Sequence, residues 1–482
     1  MTTTRRDVLR LLGLGAVAVA GVPGCSLIAG TPQPQLLTSA APLPRPYAVP
    51  LPVPEVAKPV RSAGGADFYE LTERAAEVEV LPGLRTGIWG YGGTFPGPTI
   101  QARAGRRTVV KLVNQLGEPT VLHLHGGHTP PESDGFPTDL VAPGASREYV
   151  FPLEQRAATL WYHDHRMDYT GPQVWRGLAG MFLVRDAEEE ALPLPAGERD
   201  LPLLICDRSF AADGTMLYPA LEGRPGVREA YMGGVLGDVI LVNGAPWPEL
   251  RVARARYRLR LCNASNARTY ELATGGPMVQ IGTDGGLLAQ PRTVRQLRLA
   301  PGERADVVVD FSAYKVGQHV ELRNLAGEGA QAKVMRFAVD RDESDESSVP
   351  ARLSTVEALD PGKAKVTREF EFSSGGMGWL INGKPFDPKR MEARPRLGDI
   401  EVWRLTSDVA HPVHLHLDHF QVLTVNGERP QGPPEWKDTV ELREAQTVEI
   451  VTRFTDYRGR YVLHCHNLEH EDMAMMAAFE VI

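Results

Sequence analysis

Twelve of the chain's 13 histidines fall in four short clusters. The first is "HLHGGH", with His123, His125 and His128, and the second is "WYHDH", with His163 and His165. The third is "HPVHLHLDH", with His411, His414, His416 and His419, and the fourth is "HCHNLEH", with His464, His466 and His470 around Cys465. Residues i and i+2 of a strand face the same side, so each His-x-His pair aims two imidazoles at one point. Four pairs offer eight imidazoles, two pairs from each end of the chain. Imidazole suits copper, zinc, iron and nickel alike, so ligand type alone leaves the metal open.

Cys465 narrows the choice. It lies between His464 and His466 and on a strand faces the other way. His411 has the opposite parity to His414 and His416 and can face that other side too. His470 follows, and Met475 lies five residues beyond it. Two His, one Cys and a weak axial Met make a blue-copper electron-transfer site. A structural zinc site takes four closed ligands and has no use for a distant Met. An electron received at Cys465 would have a short covalent route to His464 and His466. One-electron capture on one side and a metal cluster on the other suit reduction of dioxygen to water, which needs four electrons.

The elements that must position these groups read as strands. "RTVVKLVN", "YRLRLCN" and "RADVVVDF" alternate apolar and polar residues between Gly and Pro clusters. Many such runs argue for β-sandwiches or barrels. A weak internal repeat points to three copies of one unit: "GTFPGPTIQARAGRRTVVKLVN" from Gly93, "LVNGAPWP" from Leu241 and "LINGKPFDP" from Leu380. The 482 residues fit about three domains. The boundaries are placed near 190 and 345, the second in the acidic stretch "DRDESDESSVP". The expected layout is an export signal region over 1–30, a tether over 31–66, and domains over 67–190, 191–345 and 346–482.

The N-terminus carries Arg5 and Arg6 before an apolar run, residues 11–22, too short to span a bilayer. This pattern predicts a twin-arginine export signal, and hence a periplasmic, secreted or surface-attached protein. Cys25 after "VPG" loosely resembles a lipoprotein cleavage site, although Pro23 departs from the usual pattern. Residues 31–66 are rich in proline, which predicts an extended, poorly packed tether. No later segment is apolar and long enough to cross a membrane. The net charge of −8, with no dense basic block, disfavours nucleic-acid binding. Cys206 and Cys262 stand in apolar strand-like runs and either pair after export or remain buried thiols. "NAS" at Asn263 matches a glycosylation sequon, for which chance is the better account beside a bacterial-type signal.

The four motifs together resemble those of the multicopper oxidases, over roughly residues 68–482. Three-domain bacterial laccases, spore-coat laccases and bilirubin oxidases look most similar. The resemblance implies an all-β fold of three cupredoxin-like Greek-key β-sandwich domains holding four copper ions. It implies a type 1 copper on His411, Cys465, His470 and Met475. It implies a type 2 copper on His123 and His414, and a type 3 pair on His125, His163, His165, His416, His464 and His466. Glu471 and Asp134 match positions that resemble the family's proton-supplying acids, general acid–base help that the chemistry would use. Their rival reading is as structural hydrogen-bond acceptors. His128, His319 and His419 match no family role, and Trp161 and Tyr162 are expected to pack beside the cluster. The implied partners are dioxygen and a small reducing substrate: a phenol, an aromatic amine, a bilin-like pigment or Cu(I). Cu(I) oxidases of the family often carry a methionine-rich insert near the type 1 site, whereas residues 342–366 here contain no methionine. A non-enzymatic envelope scaffold is the reading from another class, but such a relative would be expected to have lost ligands. Monomer is the default state.

Overall fold

The computed structural model describes residues 32–222, 224–375 and 378–482. The export signal region and Cys25 lie outside the described residues. Within the rest, strands gather into three pairs of sheets. The first pair has a sheet containing Ala66–Val78, Arg107–Asn114 and Ser146–Phe151. Its second sheet orders Gly97–Arg103, Ala179–Arg185, Ala158–Asp164 and Leu122–His125. The second pair is a seven-stranded and a five-stranded sheet between Asp200 and Arg341, and the third is two five-stranded sheets between Val366 and Val481. Residues 186–199 and 342–365 separate the three pairs.

Several strands, such as Ala158–Asp164 and Asp200–Arg208, are buried along nearly their whole length. In the third pair, Trp403, Phe420, Tyr461 and Phe479 fill the space between the sheets, and Cys465 and Met475 belong to the same apolar cluster. In the second, Leu203, Ile205, Leu259, Leu261 and Phe337 do so. Cys206 and Cys262 are free and fully buried there. Cys262 sits opposite Leu204 on adjacent parallel strands, so Cys206 is displaced by two residues. That diagonal is about 8 Å, beyond what a disulfide spans. Burial pushes the Cys206 thiol up to about 11.

The proline-rich stretch does not behave as the loose tether that its composition suggested. It is extended, but it is docked. Gln35–Leu37 pairs in parallel with Val235–Gly237, and Ala41 and Leu51 are buried. The amides of Leu51 and Ala57 donate to the Glu249 and Thr99 carbonyls at 2.8 Å each. Proline content sets the backbone conformation, while the non-proline residues between supply the donors that dock it. The acidic segment near 345 is pinned in a similar way, by Asp345 to Arg199 at 3.1 Å and to Arg256 at 3.3 Å.

Two strand registers place the histidines. Leu122–His125 runs antiparallel to Ala158–Asp164 with His123 opposite His163. His411–Leu415 runs antiparallel to Gly459–Cys465 with His414 opposite His464 and Val413 opposite Cys465. The first and last sandwiches thus bring their histidine-bearing strands together.

Candidate metal centre

The smaller cluster lies inside the third sandwich. Nδ1 of His411 and Nδ1 of His470 are 3.1 Å apart, and Sγ of Cys465 is 3.5 Å and 3.6 Å from them. A trigonal site with bonds of about 2.0 Å to nitrogen and 2.3 Å to sulfur needs edges of about 3.5 Å, so the three donors fit a copper without rearrangement. His411 is held by Asp408, whose Oδ1 is 3.2 Å from Nε2. His470 stands on the short helix Leu468–Asp472, whose N-terminus is capped by Asn467 Oδ1, accepting from the Glu469 and His470 amides. The turn that follows places Ala474 at φ +75° and returns Met475 to the core, where the Cys465 amide donates to the Met475 carbonyl at 3.0 Å. Trp379 stacks on His470 with ring centroids 3.7 Å apart.

The larger cluster lies between the first and third sandwiches. Nε2 atoms of His123 and His414 are 3.4 Å apart, those of His165 and His464 3.2 Å, and those of His416 and His464 3.3 Å. Several of the other ring nitrogens are tied to protein oxygens. His123 Nδ1 is 2.6 Å from the Asp134 carbonyl, His163 Nδ1 2.7 Å from the Asp164 carbonyl, and His414 Nδ1 2.9 Å from the Asp438 carbonyl. His416 Nδ1 is 2.8 Å from the Asp134 carboxylate. A nitrogen that donates outward leaves its partner bare for metal. His125 is reversed: its Nε2 meets Asp438 and Thr439 at 3.1 and 3.0 Å, and its Nδ1 is buried without a partner. His163 Nε2 and both nitrogens of His466 are also buried and unpartnered. Unpaired buried nitrogens are costly, and their convergence fits a metal cluster. Burial first, then the neighbouring imidazoles, pushes His123, His163, His416, His464 and His466 well below the ordinary histidine range, and His165 down to about 4. Neutral imidazole is the ligating form.

All ten expected histidines and Cys465 lie in these two groups, and Met475 lies in the apolar shell of the first. The two expected acids are both buried against the larger cluster. Glu471 Oε1 accepts from Thr170 Oγ1 at 2.7 Å and is 3.5 Å from Nδ1 of His165, while Oε2 is 3.2 Å from Nδ1 of His464. Burial pushes both carboxyls above the usual range. A nearby metal charge pulls in the opposite direction.

Other residues fall where spacing could not place them. Trp161 does stack on His163 at 4.2 Å, but Tyr162 faces away from the cluster and donates to the Pro98 carbonyl at 2.6 Å. Strand parity explains the difference, since 161 and 163 share a face and 162 does not. His319 is exposed at the start of its strand. His128 lies between Asp418 and Asp456 at 3.1 and 3.0 Å. Burial lowers its pKa, but the two carboxylates outweigh that and bring it up to about 9. His419 is on the same side, 3.7 Å from Asp438. His128, Asp418 and His419 line a cavity of about 320 Å³, and Asp418 and His419 also border, with His123 and His414, a narrow gap with no room for a water molecule.

Arg304 and Asp438 had no signal in the sequence. Arg304 Nη1 and Nη2 donate to Asp438 Oδ1 and Oδ2 at 2.7 and 2.5 Å. Its remaining N–H groups donate to the carbonyls of Thr159, Gly302 and Asp284 at 2.9, 3.0 and 3.2 Å. Asp438 in turn positions His125 and His414, so a middle-domain arginine fixes histidines of the outer two. Gly302 packs directly on the cluster: it has φ +85°, and a Cβ there would be 3.0 Å from both His125 Cε1 and His466 Cδ2.

Multicopper oxidase family models match residues 73–189, 226–335 and 351–482. The chain is 35% identical to a laccase of Bacillus subtilis, over 89% of this chain and 97% of that enzyme. It is 36% identical to a bilirubin oxidase of Albifimbria verrucaria, over 90% of this chain and 81% of that enzyme. Its fold superposes on the crystal structure of a laccase from Pediococcus acidilactici with a TM-score of 0.84 and 33% identity, covering 94% of this chain and 96% of the other.

Proposed function

Because this chain belongs to the multicopper oxidase family and is a laccase-like, copper-dependent oxidoreductase, we propose that its two clusters hold four coppers. The type 1 copper is assigned to His411, Cys465, His470 and Met475, and the type 2 copper to His123 and His414. The type 3 pair is assigned to His125, His163, His165, His416, His464 and His466. When bound, copper supplies one-electron acceptance at the sulfur site and four-electron reduction of dioxygen at the three-metal site.

The observation that carries this reading is the back-to-back placement of the two groups on one strand. The Cys465 thiol enters the apolar core with His411 and His470, and His464, its neighbour in the chain, meets His165 and His416 on the other face. The peptide bonds flanking Cys465 give a covalent electron route between them. Apolar packing around Cys465 and Met475 excludes water from the sulfur. Reduction to water consumes four protons, and two buried carboxyls stand at ring nitrogens of the cluster. Glu471 holds its carboxyl at Nδ1 of His165 and His464, and Asp134 at Nδ1 of His416. Both are suited to hold a proton there and pass it inward. The donor we propose is a phenol or aromatic amine, in line with the laccase and bilirubin oxidase relatives. The paired arginines and short apolar run at the N-terminus support export by the twin-arginine route, with lipid attachment at Cys25 as the secondary reading.

The test is a copper-reconstituted preparation assayed for metal content, blue absorption and oxygen uptake with a panel of phenols, aromatic amines and Cu(I). Four coppers per chain, a blue band lost in Cys465→Ser, and phenol turnover without added copper are expected. A colourless, fully metallated protein would refute the type 1 assignment. Phenol turnover strictly dependent on extra copper, with rapid Cu(I) consumption, would reverse the donor assignment.

A further inference from the structure

The outer edge of the His411, Cys465 and His470 site is closed by chain. The Trp379 indole that stacks on His470 donates to the Met232 carbonyl at 3.1 Å. The next carbonyl, Gly233, is 3.3 Å from Nε2 of His470 and accepts from Nδ2 of Asn467 at 3.1 Å. With Nδ1 of His470 turned toward Cys465, Nε2 carries the ring proton, and Gly233 is its acceptor. Residues 232 and 233 therefore cover the ring nitrogen that faces away from the sulfur.

This cover has a single strand partner among the described residues. Val235–Gly237 pairs only with Gln35–Leu37, and the Gln35 amide donates to the Gly234 carbonyl at 2.9 Å. Ser39 clamps the pairing. Its amide and hydroxyl donate to the Asp238 carboxylate at 2.7 and 2.5 Å, and its hydroxyl accepts from the Phe210 amide at 2.9 Å. The contact reaches Gly233 itself, where a Cβ would lie 2.5 Å from the Pro32 carbonyl oxygen and from the Gln33 carbonyl carbon. None of these strap residues touches a proposed ligand.

We propose that residues 32–41 are a strap that positions the Gly233 carbonyl on His470 and thereby restricts bulky electron donors from reaching the imidazole edge. Ser39 and Gly233 are positioning residues in this scheme, acting through the cover. The inference rests on His470 being a type 1 ligand. It makes the segment that follows the export signal a determinant of donor size.

The test uses the full-chain holoenzyme and three variants: Ser39→Ala with Asp238→Ala, Gly233→Ala, and a chain with a protease site after Pro42, cut once folded. The last removes the strap without asking the variant to fold. Two quantities are read. One is exchange of the His470 Nε2 proton for deuterium, followed by electron–nuclear double resonance on the oxidised type 1 centre. The other is the kcat/KM ratio of a bulky to a small phenol. Loss of two or three hydrogen bonds should speed the exchange by about tenfold or more, and the ratio should rise with it. A merely structural strap would lower Tm while leaving both unchanged. Unchanged exchange and ratio in a chain whose strap has been cut and released would overturn the proposal. A type 1 spectrum that survives His470→Ala unaltered would instead sink the ligand assignment beneath it.

Discussion

Breaking the Arg304–Asp438 pair offers a sharp test of how three domains hold one cluster. Both side chains are almost fully buried, and all five guanidinium N–H groups have acceptors. Asp438→Asn leaves the cation with only the more distant Asp284 carboxylate, 3.7 Å away, as its counter-charge. Removing one partner of a buried, fully hydrogen-bonded pair costs about 3–5 kcal/mol. Arg304→Lys is not conservative here, because an ammonium has three donors where five are used. It should strand two acceptors and cost roughly 2–4 kcal/mol. Copper loading should suffer separately. The Asp438 carboxylate orients His125 without being a ligand, and loss of such a partner typically costs about 10–100-fold in metal affinity. Denaturant unfolding of the copper-free forms gives the first quantity, and copper content against a competing chelator gives the second. The Arg304→Met, Asp438→Asn double variant should lose clearly less than the sum of its singles. Additive losses, or single variants within about 1 kcal/mol of the parent, would refute the idea that this pair is a shared brace.

Three further outcomes are expected. Gly302→Ala, whose new methyl meets His125 and His466, should lose the three-metal cluster while keeping the blue band, read as copper content falling towards one per chain. Glu189 is held at about 2 from an ordinary 4.5, because Arg260, Arg258 and Arg185 outweigh the upward push of burial. Its folded pKa is depressed, so it stabilises the fold by about 3 kcal/mol above pH 4.5, and this is lost as pH falls towards 2. The stability gap between wild type and Glu189→Gln should therefore close over that window in acid unfolding curves. Met475→Leu should keep the blue band and shift the type 1 potential in a redox titration, since the axial ligand tunes it; an unchanged potential would remove Met475 from the site.

The two metal groups were legible because their signal is local. His-x-His spacing and the inverted parity of Cys465 are decided by strand geometry alone. The same rule applied to residues 161–163 separates Trp161 from Tyr162, although the sequence reading had put both beside the cluster. Arg304, Asp438, Gly302 and Gly233 act through neighbours far along the chain, and nothing in their own segments marks them. The proline-rich stretch was misread because composition reports how a backbone extends, not what it leans on. The fate of Cys206 and Cys262 depended on a register of two residues between parallel strands, which neither segment encodes.

The larger cluster draws its donors from both ends of the chain, and this sets an order of events. His123 emerges 341 residues before His464. At ribosomal rates of about 5–20 residues per second, the early histidines wait roughly 20–70 s for their counterparts. Neither group can close until residues 464–470 exist, so any product that stops before them carries neither group complete. Metal capture would thereby report that synthesis has passed Met475.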